Sequence, residues 1–106
     1  MRRRLVIFLG LALLAAALLR TGQAAPRQPV VVMYATDWCG YCARARAYLQ
    51  HNGIAFIEHD IEKSTAAGTE FRRLGGRGVP LILVGRERVY GFSELAFEFA
   101  YEKASR

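Results

Sequence analysis

The stretch Val30-Val31-Val32-Met33-Tyr34-Ala35-Thr36-Asp37-Trp38-Cys39-Gly40-Tyr41-Cys42 decides both the fold and the chemistry. Val30 to Tyr34 is a continuous apolar run rich in β-branched residues, which suits a central strand buried on both faces. Thr36, Asp37 and Trp38 make a turn. From Gly40 to Asn52 the pattern is helical, with Cys42, Ala45 and Leu49 on one face. The chain has only two cysteines, and they fall at i and i+3 in the first turn of that helix. Thiols so placed can close a disulfide without moving the backbone, and an attacking thiolate can open it again.

Three other uses of the pair compete with reversible dithiol chemistry. A structural staple closing so short a loop removes little chain entropy, roughly 2 kcal/mol against about 3 for a loop of about 15 residues. A zinc site with His51 and His59 would leave eight residues between Cys42 and His51 and seven between the histidines. A zinc finger wants about 12 and then about 3–5. Two inert buried thiols are the third. Dithiol exchange fits the spacing best.

Outward from this centre, the chain of 106 residues holds one domain. The first part is not that domain. Met1-Arg2-Arg3-Arg4 is a basic cap, Leu5 to Leu19 is apolar throughout, and Thr21-Gly22-Gln23-Ala24-Ala25 is rich in small residues. That is the pattern of a secretory signal, with cleavage expected after Ala24. The alternative is a retained membrane anchor, although 15 apolar residues closed by Arg20 fall short of the roughly 20 that a bilayer core needs. Either way the domain is exported and the arginines stay in the cytoplasm. The net charge of +6 owes four of its positive charges to Arg2, Arg3, Arg4 and Arg20. Without residues 1–24, eleven basic side chains face nine acidic ones, a balance of +2 that is no nucleic-acid footprint.

Residues 25–29 read as a linker. Ile54 to His59 is a second strand, so strand, helix and strand form a βαβ unit with parallel pairing and a right-handed crossover. Ser64 caps a second helix with Ala67, Phe71 and Leu74 inward; Gly68 weakens it by about 1 kcal/mol relative to alanine. Gly75-Gly76 ends it. Leu81 to Val84 is a strand, Gly85-Arg86-Glu87 a tight turn, and Arg88 to Tyr90 pairs back antiparallel. Ser93 caps a last helix to about Lys103, with Glu94 in its first turn and more apolar residues than the sheet can cover.

Cys39 falls at the helix start, where unpaired N–H groups and the positive end of the helix dipole favour a thiolate. Cys42 lies one turn in, on the apolar face. This asymmetry makes Cys39 the nucleophile and Cys42 the resolving thiol. Arg44 and Arg46 either add positive potential near the thiols or, the better reading, are solvated helix-face residues. Asp37 opposes ionisation of the neighbouring thiol. Arg77-Gly78-Val79-Pro80 is the second element of interest: Pro80 opens a strand after a Gly-rich loop, where a cis peptide bond is expected.

With these residues in hand, the chain resembles the glutaredoxins of the thioredoxin superfamily. The matches are Cys39, Tyr41 and Cys42, then Val79-Pro80, then Gly91 with Ser93 and Glu94, spread over about residues 30–100. The resemblance implies a thioredoxin-like α/β fold of order β-α-β-α-β-β-α, a four-stranded mixed sheet flanked by three helices, in residues 30–106. It implies that Val79, before a cis-proline at Pro80, offers backbone groups to an extended peptide or to glutathione. It also implies that Tyr41 and Gly91 line the substrate site, that Arg77 meets one carboxylate of glutathione, and that the N–H groups around Ser93 bind the other. The chain departs from the family at Gly40, where proline is usual, at Gly78, where threonine or serine is usual, and at Thr36 and Asp37, where many members place a lysine. Gly91-Phe92 is similar to glutaredoxin-like proteins reduced by a thioredoxin-reductase-type partner. Trp38 is similar to the tryptophan of thioredoxins, or else is a packing residue.

The expected activity is thiol–disulfide exchange with protein disulfides or glutathione mixed disulfides in the bacterial periplasm. No tightly bound cofactor and no metal are expected, glutathione serving as a co-substrate. The electron donor is a separate, unidentified partner. A monomer is expected, with membrane contact only if the N-terminal segment is retained. The alternative that the resemblance carries is an iron–sulfur cluster held between two subunits by the first cysteine and glutathione, for which Gly40 leaves room.

Overall fold

The computed structural model describes residues 28–106, so the export segment and most of the linker lie outside the described residues. The element order is β1 (Val31–Ala35), α1 (Gly40–His51), β2 (Ile57–Asp60), α2 (Thr65–Arg73), β3 (Leu81–Val84), β4 (Glu87–Tyr90) and α3 (Glu94–Ala104). The strands form one mixed sheet in the order β2-β1-β3-β4. β1 runs parallel to β2, with Val32 opposite Ile57, and antiparallel to β3, with Tyr34 opposite Leu81. The hairpin β3–β4 pairs Val84 with Glu87 across Gly85-Arg86. Gly85 has φ +58°, and among the described residues no non-glycine residue has positive φ, which is the pattern of a II′ hairpin turn.

Strand alternation divides the core in two. Val31, Met33 and Ala35 of β1, with Ile82 and Val84 of β3, face α1 and α3 and pack on Cys42, Ala45, Leu49, Phe97 and Ala100. Tyr34 and Leu81 point the other way and pack on Phe71 and Leu74 of the α2 segment. The continuous apolar runs of β1 and β3 follow from this, since each strand buries both faces. The result is the thioredoxin-like arrangement, three helices around a four-stranded mixed sheet.

Helix ends are set by side chains and glycines. Ser64 and Ser93 accept the Ala67 and Ala96 N–H groups, each at 3.1 Å. α1 and α2 end in Schellman motifs: Gly53 and Ile54 bond back to Gln50 and Leu49, and Gly75 and Gly76 to Arg72 and Phe71. The motif after α1 corrects the expected second strand. Ile54 donates its N–H to Leu49 at 2.9 Å and packs against the core, so pairing with β1 begins only at Ile57. The first strand likewise starts at Val31, Val30 being exposed.

Two glycines carry close approaches rather than weakness. A Cβ at Gly68 would sit 3.0 Å from the Ile61 carbonyl oxygen, so this glycine lets α2 lie against the preceding turn. A Cβ at Gly76 would overlap the Phe71 ring. Gly76→Ala is therefore expected to lower stability by about 1–3 kcal/mol, the usual cost of overpacking. A urea titration showing no shift in midpoint would refute this packing argument.

Candidate active site

The Cys39 backbone is extended, with φ −79° and ψ 115°, and its side chain caps α1. Sγ accepts the Cys42 N–H at 3.1 Å, the bond that serine oxygens accept at the starts of α2 and α3. A sulfur thus sits where a helix N-terminus presents its unpaired donors. Cys42 is one turn in and has no exposed surface, while Cys39 is 7 % exposed. Both are free thiols. Burial, and then its hydrogen bond with Cys39, push the Cys42 thiol up to about 12.

That shift has a consequence for the reduced protein. The ordinary value is 9.0, so unfolded Cys42 ionises first as pH rises, while the folded thiol holds its proton. The stability this gives is present below pH 9 and is lost as pH rises from 9 towards about 12. The oxidised protein has no thiol at this position to titrate. The reduced form should therefore lose more stability than the oxidised form over this range, measured by denaturant titration of both.

Across from the dithiol, the Val79–Pro80 peptide is cis. The Cys39 thiol lies 3.6 Å from the Val79 carbonyl oxygen, towards which it points as a donor. The Pro80 carbonyl accepts the Gly91 N–H at 2.8 Å, and Gly91 has φ +82°. This bond brings the turn before α3 next to the Val79-Pro80 strand start. Tyr41 is exposed, and the Arg44 guanidinium stacks over its ring at 5.2 Å. Tyr41, Arg44, Tyr48, His51, Phe92 and Ser93 line a cleft of about 760 Å³. The residues read from the sequence are thereby placed in two groups. Cys39, Cys42 and Val79-Pro80 meet at the sulfur, and Tyr41 meets Ser93 in the adjoining cleft. Arg77 is exposed in the α2–β3 loop, with no ion pair or hydrogen bond to its side chain among the described residues.

Some side chains do other than expected. Arg46 is not simply solvated: it makes a bidentate pair with Glu58 at 2.7 and 2.8 Å. The Asp37 charge is offset by the Lys63 ammonium at 2.6 Å. Trp38 is no packing residue; it is 71 % exposed, and its indole N–H donates to Glu62 at 2.8 Å. Sequence patterning carries no signal for Glu62 and Lys63, which lie in a connection with no period, nor for Phe92 as a cleft residue. Among the described residues, no group of three or more His, Cys, Asp or Glu side chains is placed to hold a metal ion.

Comparison with known proteins agrees with this geometry. The glutaredoxin family model matches residues 31–89. The chain is 37 % identical over 79 residues to a glutaredoxin of Pseudomonas aeruginosa, covering 74 % of this chain and 90 % of that protein. It is 33 % identical over 66 residues to Glutaredoxin 3 of Escherichia coli, covering 61 % and 80 %. Among solved structures, the glutaredoxin of Archaeoglobus fulgidus superposes with a TM-score of 0.60 at 22 % identity, covering 74 % and 96 %, and this shows the fold alone. Since the family match spans more than half of the chain and takes in both cysteines, the chain belongs to the glutaredoxin family and is a thiol–disulfide oxidoreductase.

Proposed function

We propose that Cys39 and Cys42 exchange with protein disulfides or glutathione mixed disulfides outside the cytoplasm, Cys39 attacking and Cys42 resolving. One observation carries the assignment: Cys39 Sγ caps α1 and accepts the Cys42 N–H, while Cys42 is fully enclosed. In the first step the Cys39 thiolate attacks one substrate sulfur, the substrate S–S bond breaks, and the departing thiolate takes a proton. Cys42 then gives up its proton and attacks Cys39 Sγ, releasing the second product as a thiol. The Cys39–Cys42 disulfide returns to the dithiol with two electrons and two protons from an external dithiol donor.

The Val79 backbone pairs with an extended substrate and lays its sulfur near Cys39, which the 3.6 Å approach of Sγ to the Val79 carbonyl supports. Arg77 meets a substrate carboxylate; it is a cation free of any carboxylate in the described residues. The N–H groups at the start of α3, next to Ser93, take a second carboxylate. Export rests on the basic cap Arg2-Arg3-Arg4 followed by the apolar run Leu5 to Leu19.

Two measurements test this. The purified protein with dithiothreitol should reduce a glutathione mixed disulfide and a protein disulfide, and should be colourless. Failure on both disulfides, or visible absorbance from an iron–sulfur cluster that leaves no free thiol, would overturn the exchange reading. Fractionation of native cells should find the domain outside the cytoplasm; recovery from the cytoplasm would overturn the location alone.

A further inference from the structure

Cys39 is almost covered, yet two large side chains beside it are exposed, Trp38 at 71 % and Tyr41 at 59 %. Trp38 reaches towards the β2–α2 connection, where its N–H meets Glu62 at 2.8 Å. Tyr41 faces the start of α3 and shares the cleft with Phe92 and Ser93. Backbone near the dithiol is uncrowded: a Cβ at Gly40 or at Gly78 would meet nothing within 4 Å.

An exposed indole ordinarily samples several rotamers. This one donates to a carboxylate whose backbone is fixed in a turn. Asp60 Oδ1 accepts the N–H groups of both Glu62 and Lys63, at 2.9 and 3.0 Å. From that turn Glu62 reaches Trp38 and Lys63 reaches Asp37, so two consecutive residues are tied to two consecutive residues across the loops. Neither tie joins the core, and no step of the exchange makes use of Glu62.

We infer that Glu62 is a positioning residue for substrate choice: it holds Trp38 as a wall beside Cys39, and that wall favours extended polypeptide disulfides over small ones. The inference rests on the dithiol reading and names the substrate class of the same site. A polypeptide paired on Val79 runs past Trp38, and the apolar side chain beside its cysteine packs on a ring that is already ordered. Such contact loses little conformational freedom on binding. A small disulfide reaches Cys39 without touching the ring and gains nothing from the wall.

The test compares kcat/KM for two substrates under dithiothreitol: a disulfide-linked pair of unstructured peptides with leucine beside each cysteine, and bis(2-hydroxyethyl) disulfide. Glu62→Ala should lower the peptide-to-small ratio about tenfold, through KM, the scale on which single aromatic anchors act at interfaces. Glu62→Gln retains a carbonyl acceptor and should restore the ratio. Trp38→Ala should lower it as far, and adding Glu62→Ala to it should change nothing more, because Glu62 acts only through the indole. Trp38 is the only tryptophan, so its fluorescence anisotropy reads the tie directly and should fall in Glu62→Ala. An unchanged ratio, an unchanged anisotropy, or additive losses in the double variant would each overturn the inference while leaving the exchange reaction intact. A wild-type protein that reduces neither disulfide would instead bring down the dithiol reading, and this inference with it.

Discussion

Cys39→Ser is expected to lower disulfide reduction by more than about 10³-fold, because a hydroxyl neither ionises near neutral pH nor leaves again as a thiolate does. The fold should survive, since a serine oxygen caps a helix as well as this sulfur does. Cys42→Ser should behave differently. The first exchange still occurs, but no second thiol is present to release the product, so the protein accumulates as a mixed disulfide through Cys39, seen as a mass increase equal to the substrate's half. Glutathionylated substrates should retain partial turnover, because a second glutathione can resolve the intermediate. Alkylation separates the two thiols without mutation. At pH 7.5 iodoacetamide should modify Cys39 first, because Cys42 has no exposed surface and its thiol is pushed up to about 12. If Cys42 is the faster thiol to react, the roles are reversed. Non-additive losses are expected when both cysteines are replaced, since the pair acts as one unit.

What could be read from the sequence follows from where the physics is local. Ser64 and Ser93 announce their helices because a cap needs only its own hydroxyl and an N–H three residues on. Cys39 is legible for the same reason, its sulfur taking the serine's place. β1 and β3 are legible because both of their faces are buried, whereas β2 is an edge strand whose Ile57, Glu58 and His59 are exposed, and its apolar lead-in belongs to the end of α1. Long-range contacts were not legible. Trp38 looks like a core residue until Glu62, 24 residues away, is seen to hold it at the surface. Gly68 looks like a weak helix position until the Ile61 carbonyl is found against it. The cation of Lys63, which offsets Asp37, lies in a connection that no periodicity marks. The site itself divides the same way: the sulfur chemistry is local to one helical turn, while the cleft beside it depends on where α3 docks.

That docking turns on Phe97, and Phe97→Ala is expected to cost about 3–5 kcal/mol, much of the stability of a small domain. Phe97 is fully buried between the sheet and α1. It also sits in a row of rings: Tyr48 lies 5.6 Å from both Phe92 and Phe97, and Phe97 lies 5.8 Å from Tyr101. Truncation therefore removes the transfer energy of the ring, leaves a cavity that the rigid sheet cannot close, and withdraws support from Tyr48 and Phe92, which line the cleft beside the dithiol. Phe97→Leu retains most of the volume and should cost less. Two measurements check the argument. Urea titration should show a large fall in midpoint for alanine and a smaller one for leucine. Under conditions where the alanine variant remains folded, KM for disulfide substrates should rise while the alkylation rate of Cys39 stays near that of the wild type, because the cap at the start of α1 does not depend on α3. A loss below about 1 kcal/mol would mean that α3 is held by other contacts, and an equal loss of thiol reactivity would mean that Phe97 supports the dithiol and not the cleft.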